Sequence, residues 1–254
     1  MADAERMMEV FLDVQRGLPR QGPGLAECTR RALQMCGDLP AASRVLDVGC
    51  GPGLQTLVLA EALPEASITA LDLTREYLDQ LERRVDKAEL GSRVAVVEGD
   101  MSAMPFAEAS FDLIWSEGAA YSMGFDNAVR DWRRLLAPDG FLAVSELVWL
   151  REEPPIEVAA YFGAEYPQMA FHEDVAERFR GFGYELIGHF TLPDAAWWDD
   201  YYGALEKKLP ALREKYAGDE DALSIVAGTA TEISMRRRYA STYGYEFFVA
   251  RLRG

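Results

Sequence analysis

Val45-Leu46-Asp47-Val48-Gly49-Cys50-Gly51-Pro52-Gly53 is the stretch from which the fold is read. Its first half, taken from Arg44, is β-branched and aliphatic and stops at a glycine cluster, the pattern of a buried parallel strand. Residues 54–63 follow as a helix, and Pro64 ends it. Strand, glycine turn and helix together place backbone N–H groups where a nucleotide-like ligand can approach with no Cβ in the way. The next strand, 67–71, ends in Asp72, 19 residues after Gly53. A carboxylate at that spacing is placed to accept hydrogen bonds from ribose hydroxyls. A dinucleotide fingerprint counted from Gly49 needs glycine at 54, where Leu54 stands; counted from Gly51 it needs glycine at 56, where Thr56 stands. The pyrophosphate cradle of that fingerprint is therefore compromised.

Working outward, helices and strands alternate through the first 150 residues. An amphipathic helix carries Met7, Met8, Phe11, Leu12 and Val14, the Gly/Pro-rich stretch 17–24 breaks it, and a second helix covers 25–35. After Asp72 come a helix over 75–87 with Thr74 as N-cap, strands 93–98 and 111–116, a helix over 126–136, the turn 137–140 and a strand over 141–147. Beyond Pro154-Pro155 the rhythm changes: short helices near 156–162 and 173–180, a strand over 184–192, an aromatic-rich helical segment over 194–239, and a closing strand over 243–251. This order predicts one α/β domain with a Rossmann-like, doubly wound, seven-stranded sheet, mostly parallel with an antiparallel last strand, helices on both faces and a helical lid insert. Its parts are an N-terminal helical cover (1–40), a cofactor-binding core (41–150) and a segment (151–254) that completes the sheet and carries the lid.

A net charge of −16 disfavours a phosphate-binding surface, so no nucleic-acid partner is expected. The one dense basic cluster, Arg236-Arg237-Arg238, reads as a solvated helix face or a partner of the helix dipole. Cys28, Cys36 and Cys50 form no C-x-x-C pair, which argues against a disulfide framework or metal site and fits a reducing cytoplasm. Asp3, Glu5, Glu9 and Asp13 interrupt the first 17 residues, so no signal-peptide core is read there, and no apolar stretch approaches the roughly 20 residues that span a bilayer.

The glycine string resembles the first motif of class I S-adenosylmethionine-dependent methyltransferases, and four further stretches in matching order extend the resemblance over about 40–150, with the two final strands resembling it again. They are Asp72-Leu73; Glu98-Gly99-Asp100-Met101 running to Phe106; Phe111–Gly118; and Leu135-Leu136-Ala137-Pro138-Asp139-Gly140. The resemblance implies that Gly49, Gly51 and Gly53 receive the cofactor. It implies that Asp72 holds the ribose, that Leu73 and Met101 touch adenine, and that Asp100 accepts the adenine amino group. Ser116 and Glu117 then lie beside the methionine part. Asp47 reads as fixing the glycine loop through backbone bonds. Residues 20–24 and 192–202, with Tyr243-Gly244-Tyr245, resemble a narrower group of uncharacterised bacterial small-molecule methyltransferases, which implies that Arg20 and Gln21 reach the methionine end.

The function so implied is methyl transfer from S-adenosylmethionine to a small-molecule acceptor, in a monomer or homodimer. A protein acceptor and a non-catalytic cofactor-binding regulator are the alternatives. A sulfonium leaving group needs no acid, so the protein mainly aligns nucleophile and methyl, and a base serves only a protonated acceptor. Candidate bases are Glu117, Tyr121, Glu146 and His172; His189 reads as structural. Candidate substrate contacts are Tyr121, Trp149, Tyr166, Trp198 and Tyr201, because rings with polar tips suit a small organic ligand. Trp197, Trp198, Tyr201 and Tyr202 form an aromatic stripe readable as core packing or as pocket.

Overall fold

A computed structural model describes residues 2–253, with side chains described from residue 6 onward. Parallel pairing dominates because each of the first strands is followed by a crossover long enough to return the chain to the same end of the sheet. The strands are β1 (Arg44–Val48), β2 (Ser67–Asp72), β3 (Val94–Glu98), β4 (Phe111–Glu117), β5 (Leu136–Trp149), β6 (Tyr184–Thr191) and β7 (Tyr243–Leu252). They form a seven-stranded sheet in the order β3-β2-β1-β4-β5-β7-β6, with β7 antiparallel to both its neighbours. The strand order reverses between β1 and β4, and open α/β sheets bind ligands at the carboxyl ends of the strands beside such a switch point.

Strand alternation sorts the core into two layers. Val45, Ile68, Leu113, Trp115, Phe247 and Val249 face one layer, and Leu46, Ile114, Leu142, Val144, Phe248 and Ala250 face the other. The helices of the first half are α1 (Ala2–Gln15), α2 (Ala26–Met35), α3 (Leu54–Ala62), α4 (Arg75–Lys87) and α5 (Phe125–Trp132). In the second half come α6 (Ile156–Glu165), α7 (His172–Gly181), α8 (Ala195–Trp197), α9 (Gly203–Lys215) and α10 (Glu220–Tyr239). Helices α5 and α7 cover the second layer; α1 to α4 and the helices from α8 onward pack on the first.

Three local readings change. The continuous helical segment expected over 194–239 is broken by a π-helical turn at Trp198–Tyr202 and again between α9 and α10. Thr74 holds the N-cap position of α4, but its side chain caps nothing; Asp72 Oδ1 instead accepts the Thr74 N–H at 2.8 Å. Arg236 is no solvated cation. It is buried, with its guanidinium 4.2 Å from the Trp197 ring centre, and donates to Asp194 (2.8 Å) and to the Tyr243 carbonyl (2.7 Å). No helix among the described residues is long and apolar enough to cross a membrane.

Candidate functional site

Parallel register brings Val48, Asp72, Glu98 and Glu117 to the same edge of the sheet, and a cavity of about 730 Å³ opens above it. At one end lies the glycine loop. Gly51 N–H donates to Asp72 Oδ2 at 2.8 Å, so a single carboxylate ties this loop to the β2–α4 turn while its remaining lone pairs face the cavity. Leu73 beside it is 67% exposed. Across the opening, the Ser102 N–H and hydroxyl both donate to Asp100 Oδ1 at 2.7 Å, holding this carboxyl below its ordinary range. Met101 lines the same wall.

The three glycines have different reasons to be glycine. All have positive φ (67°, 53° and 80°), the left-handed region that side chains disfavour. A Cβ on Gly49 would land on Ala119 and one on Gly53 on Leu81, whereas one on Gly51 would meet only Gln21 Cγ at 3.6 Å, beside the cavity. Gly53 does not line the cavity; it lets α3 start against α4. Asp47 does not hold the loop through backbone bonds either. Its Oδ2 accepts the Thr56 hydroxyl (2.6 Å), and complete burial pushes its pKa up to about 7.

At the centre, Arg20 Nη1 donates to Glu117 Oε2 at 2.9 Å, with the two side chains 6% and 5% exposed. Glu117 Oε1 also accepts from Thr29 Oγ1 (2.7 Å) and Trp115 Nε1 (3.0 Å). A carboxylate that holds three donors is an anchor, and it is poorly suited to be a general base. Gln21 lines the cavity next to Gly51.

The other end is aromatic. Tyr121 and Tyr166 meet edge to face at 5.9 Å, Tyr201 and Tyr202 stack at 4.8 Å, and Trp197 packs on Tyr245 at 5.5 Å. All six line the cavity. Glu232 from α10 accepts the Tyr202 hydroxyl at 2.6 Å, and burial raises its pKa.

Six expected residues stand outside the lining. Ser116 alternates with Glu117 along β4 and so points to the opposite face of the sheet. Trp149 sits behind the cavity wall, packing edge to face on Phe162 at 5.7 Å. Trp198 bonds Asp194 Oδ2 instead (2.9 Å), because the π-turn alters the helical phase on which the stripe was read. Glu146 is buried on the α7 side of β5, with its pKa pushed up to about 8. His172 belongs with His189 and Glu246 in a cluster whose ligand-type atoms lie within 4.8 Å of one another, where His189 Nδ1 and Glu246 Oε1 are 2.6 Å apart. The cysteine spacing gives no sign of that cluster. Gly53 is the sixth.

Glu165, Glu232, Tyr161, Trp197 and Tyr245 line the cavity without having been singled out as ligand contacts. The one sequence signal for Glu232 is its position as an acid next to Ile233 on the buried stripe of α10.

Two distant segments close the cavity. Gly24 N–H donates to the Ala196 carbonyl at 3.0 Å, joining the N-terminal stretch to the insert. Arg84 Nη1 reaches both Pro19 O (3.2 Å) and Pro52 O (2.6 Å), joining that stretch to the glycine loop. Lys208 Nζ donates to the carbonyls of Asp13, Val14 and Arg16 at 3.1, 2.6 and 2.6 Å, satisfying the open C-terminal end of α1.

Residues 45–140 match the family model described as "Methyltransferase domain". These residues are a methyltransferase domain. The chain is 28% identical over 135 residues to 27-O-demethylrifamycin SV methyltransferase of Amycolatopsis mediterranei (strain S699), covering 52% of this chain and 49% of that one. It is 37% identical over 121 residues to malonyl-[acyl-carrier protein] O-methyltransferase of Enterobacter lignolyticus (strain SCF1), covering 46% and 45%. The chain thus spans under half the length of these curated relatives. The crystal structure of a methyltransferase from Geobacter sulfurreducens with S-adenosylhomocysteine superposes with a TM-score of 0.81 at 20% identity, over 96% of this chain and 98% of that one, a likeness of fold. The matched residues contribute the glycine-loop end of the cavity and Tyr121; α1, the 17–24 stretch, Leu147 of β5, the helices beyond residue 150 and β7 contribute the rest.

Proposed function

We infer that the protein transfers a methyl group from S-adenosylmethionine to a small-molecule acceptor. The observation that carries this reading is a single cavity with the glycine loop, Asp72 and Asp100 at one end and an aromatic chamber at the other. The donor set fits the cofactor. Asp72 has lone pairs left for two ribose hydroxyls, Leu73 and Met101 flank the space for adenine, and Asp100 accepts its amino group. Glu117 and Arg20 offer a carboxylate and a guanidinium to the amino and carboxyl groups of the methionine part, with Gln21 alongside. When bound, the cofactor supplies an electrophilic methyl carbon on a sulfonium.

The chain's own part is alignment and exclusion of water. Arg20, Gln21 and Glu117 would hold the methionine part so that the methyl would face an acceptor seated among Tyr121, Tyr166 and Tyr201, and any acceptor proton would pass to a base or to water. Residues 1–40 and the insert within 151–254 act as the cover over this step. A chamber of this size between two covering segments suits a small molecule better than a protein segment, and the acidic surface weighs against nucleic acid. Tyr121 and Tyr166 serve as walls, since burial raises both hydroxyl pKa values and keeps them protonated near neutrality.

Calorimetry tests this reading. S-adenosylhomocysteine should bind 1:1 with NAD far weaker, and Asp72→Ala should cost about 1–3 kcal/mol of that binding, the scale for charge-assisted hydrogen bonds. Tighter NAD binding, or no effect of Asp72→Ala, overturns it.

A further inference from the structure

Among the described residues the cavity is lined by five carboxylates (Asp72, Asp100, Glu117, Glu165 and Glu232) and a single cationic side chain, Arg20. Arg20 is already paired with Glu117, and Asp72 and Asp100 stand at the nucleotide end. The aromatic chamber therefore holds Glu232, with the exposed Glu165 at its rim, and among the described residues no lysine, arginine or histidine lines it. The two acids are close enough for Glu165 to help raise the pKa of Glu232.

A second observation points to a ligand at the same place. Trp197 and Tyr243 line the chamber at 2% and 1% exposure. Neither the Trp197 indole N–H nor the Tyr243 hydroxyl has a hydrogen-bond partner among the described residues. Buried polar groups are rarely left so, and an oxygen acceptor brought by a ligand would satisfy both. The tyrosine rings add negative π-faces, which attract an ammonium in a desolvated site.

We propose that the acceptor molecule carries a protonated amino group, recognised by Glu232 inside the tyrosine-lined chamber with Glu165 at its rim, together with neutral oxygens that engage Trp197 and Tyr243. The ammonium is a recognition group. The atom methylated is a separate, uncharged nucleophile of the same molecule, because a protonated nitrogen has no lone pair with which to attack. A carboxylate or phosphate in the same position would face Glu232 and Glu165 with no cation to answer it.

This rests on the methyl-transfer reading, and the test separates the two. Tyramine, N-acetyltyramine and 4-hydroxyphenylpropionate share one ring and differ in carrying an ammonium, a neutral amide or a carboxylate. Each is titrated calorimetrically into the protein saturated with S-adenosylhomocysteine. Tyramine should bind at least about tenfold more tightly than the carboxylate, the scale of one charge-assisted contact. In Glu232→Gln that preference should collapse toward unity, and Glu165→Gln should weaken it in part. The S-adenosylhomocysteine affinity of each variant reports whether the cofactor half is still formed. Equal binding of the three probes, preference for the carboxylate, or a preference surviving Glu232→Gln overturns the proposal. Failure of S-adenosylhomocysteine to bind the unmodified protein instead overturns the reading beneath it.

Discussion

Arg20 and Glu117 lie 97 positions apart in the chain, yet their charged atoms meet at 2.9 Å beneath the cover. Each stands out in the sequence for its own reason, one in a glycine- and proline-rich stretch, the other at a strand end. Nothing in either pattern says that they pair, since no local period links positions so far apart. The pairing turns an expected base into an anchor. Replacing Arg20 by Met leaves a buried carboxylate without its cation, which should destabilise the protein by about 3–5 kcal/mol, and the Arg20→Met/Glu117→Met double variant should recover much of that loss. A double-mutant cycle by chemical denaturation measures both. Additive losses would show the pair uncoupled. Glu146 and His172 mislead for a related reason: a strand end or helix start looks functional in sequence, whereas the face it presents is fixed by partners elsewhere.

Among the elements, the glycine loop between β1 and α3 is the best-read piece, because strand, turn and helix follow each other without a gap and strong local chemistry marks each boundary. The division of labour within it emerges only from packing. Gly53→Ala forces both a left-handed φ and a clash with Leu81, and should lower stability by about 1–3 kcal/mol. Gly51→Ala carries the left-handed strain without a clash, so it should lose less stability than Gly53→Ala and more cofactor affinity. Thermal melts and S-adenosylhomocysteine titrations of the two variants should therefore rank them in opposite order; the same ranking in both assays would contradict the assignment. The aromatic insert was harder to read. A 3.6-residue period assumes an unbroken α-helix, and the π-turn at Trp198–Tyr202 moves Trp198 off the cavity wall while Trp197 stays on it.

For the whole molecule, two buried carboxyls couple stability to pH. Asp47 and Glu146 have pKa values raised to about 7 and about 8 by burial. The unfolded chain holds these groups near the ordinary 4, so the native state binds more protons between about pH 4 and 8, and stability falls as pH rises through that window. Their contribution is complete below the unfolded values and is lost once the folded groups ionise. An Asp47→Asn/Glu146→Gln variant should therefore gain melting temperature relative to the parent at pH 8.5 and change little at pH 5. An equal shift at both pH values would rule this linkage out. The sheet itself was legible at this scale because alternation of strands and helices constrains topology strongly. The chamber was not, because α1, α6, α10 and β7 meet there from all along the chain.

Strand β7 carries a consequence for how the protein is made. It is synthesised after both β5 and β6, yet it lies between them and supplies the partner for each. Until Tyr243–Leu252 has left the ribosome, one side of β5 and both sides of β6 are open edges, the kind of surface that invites pairing with another chain. Vectorial growth can therefore consolidate β1 to β5, but it cannot join β6 to them. The final docking waits on β7, and chains stalled before Tyr243 are the species that should recruit holdase chaperones.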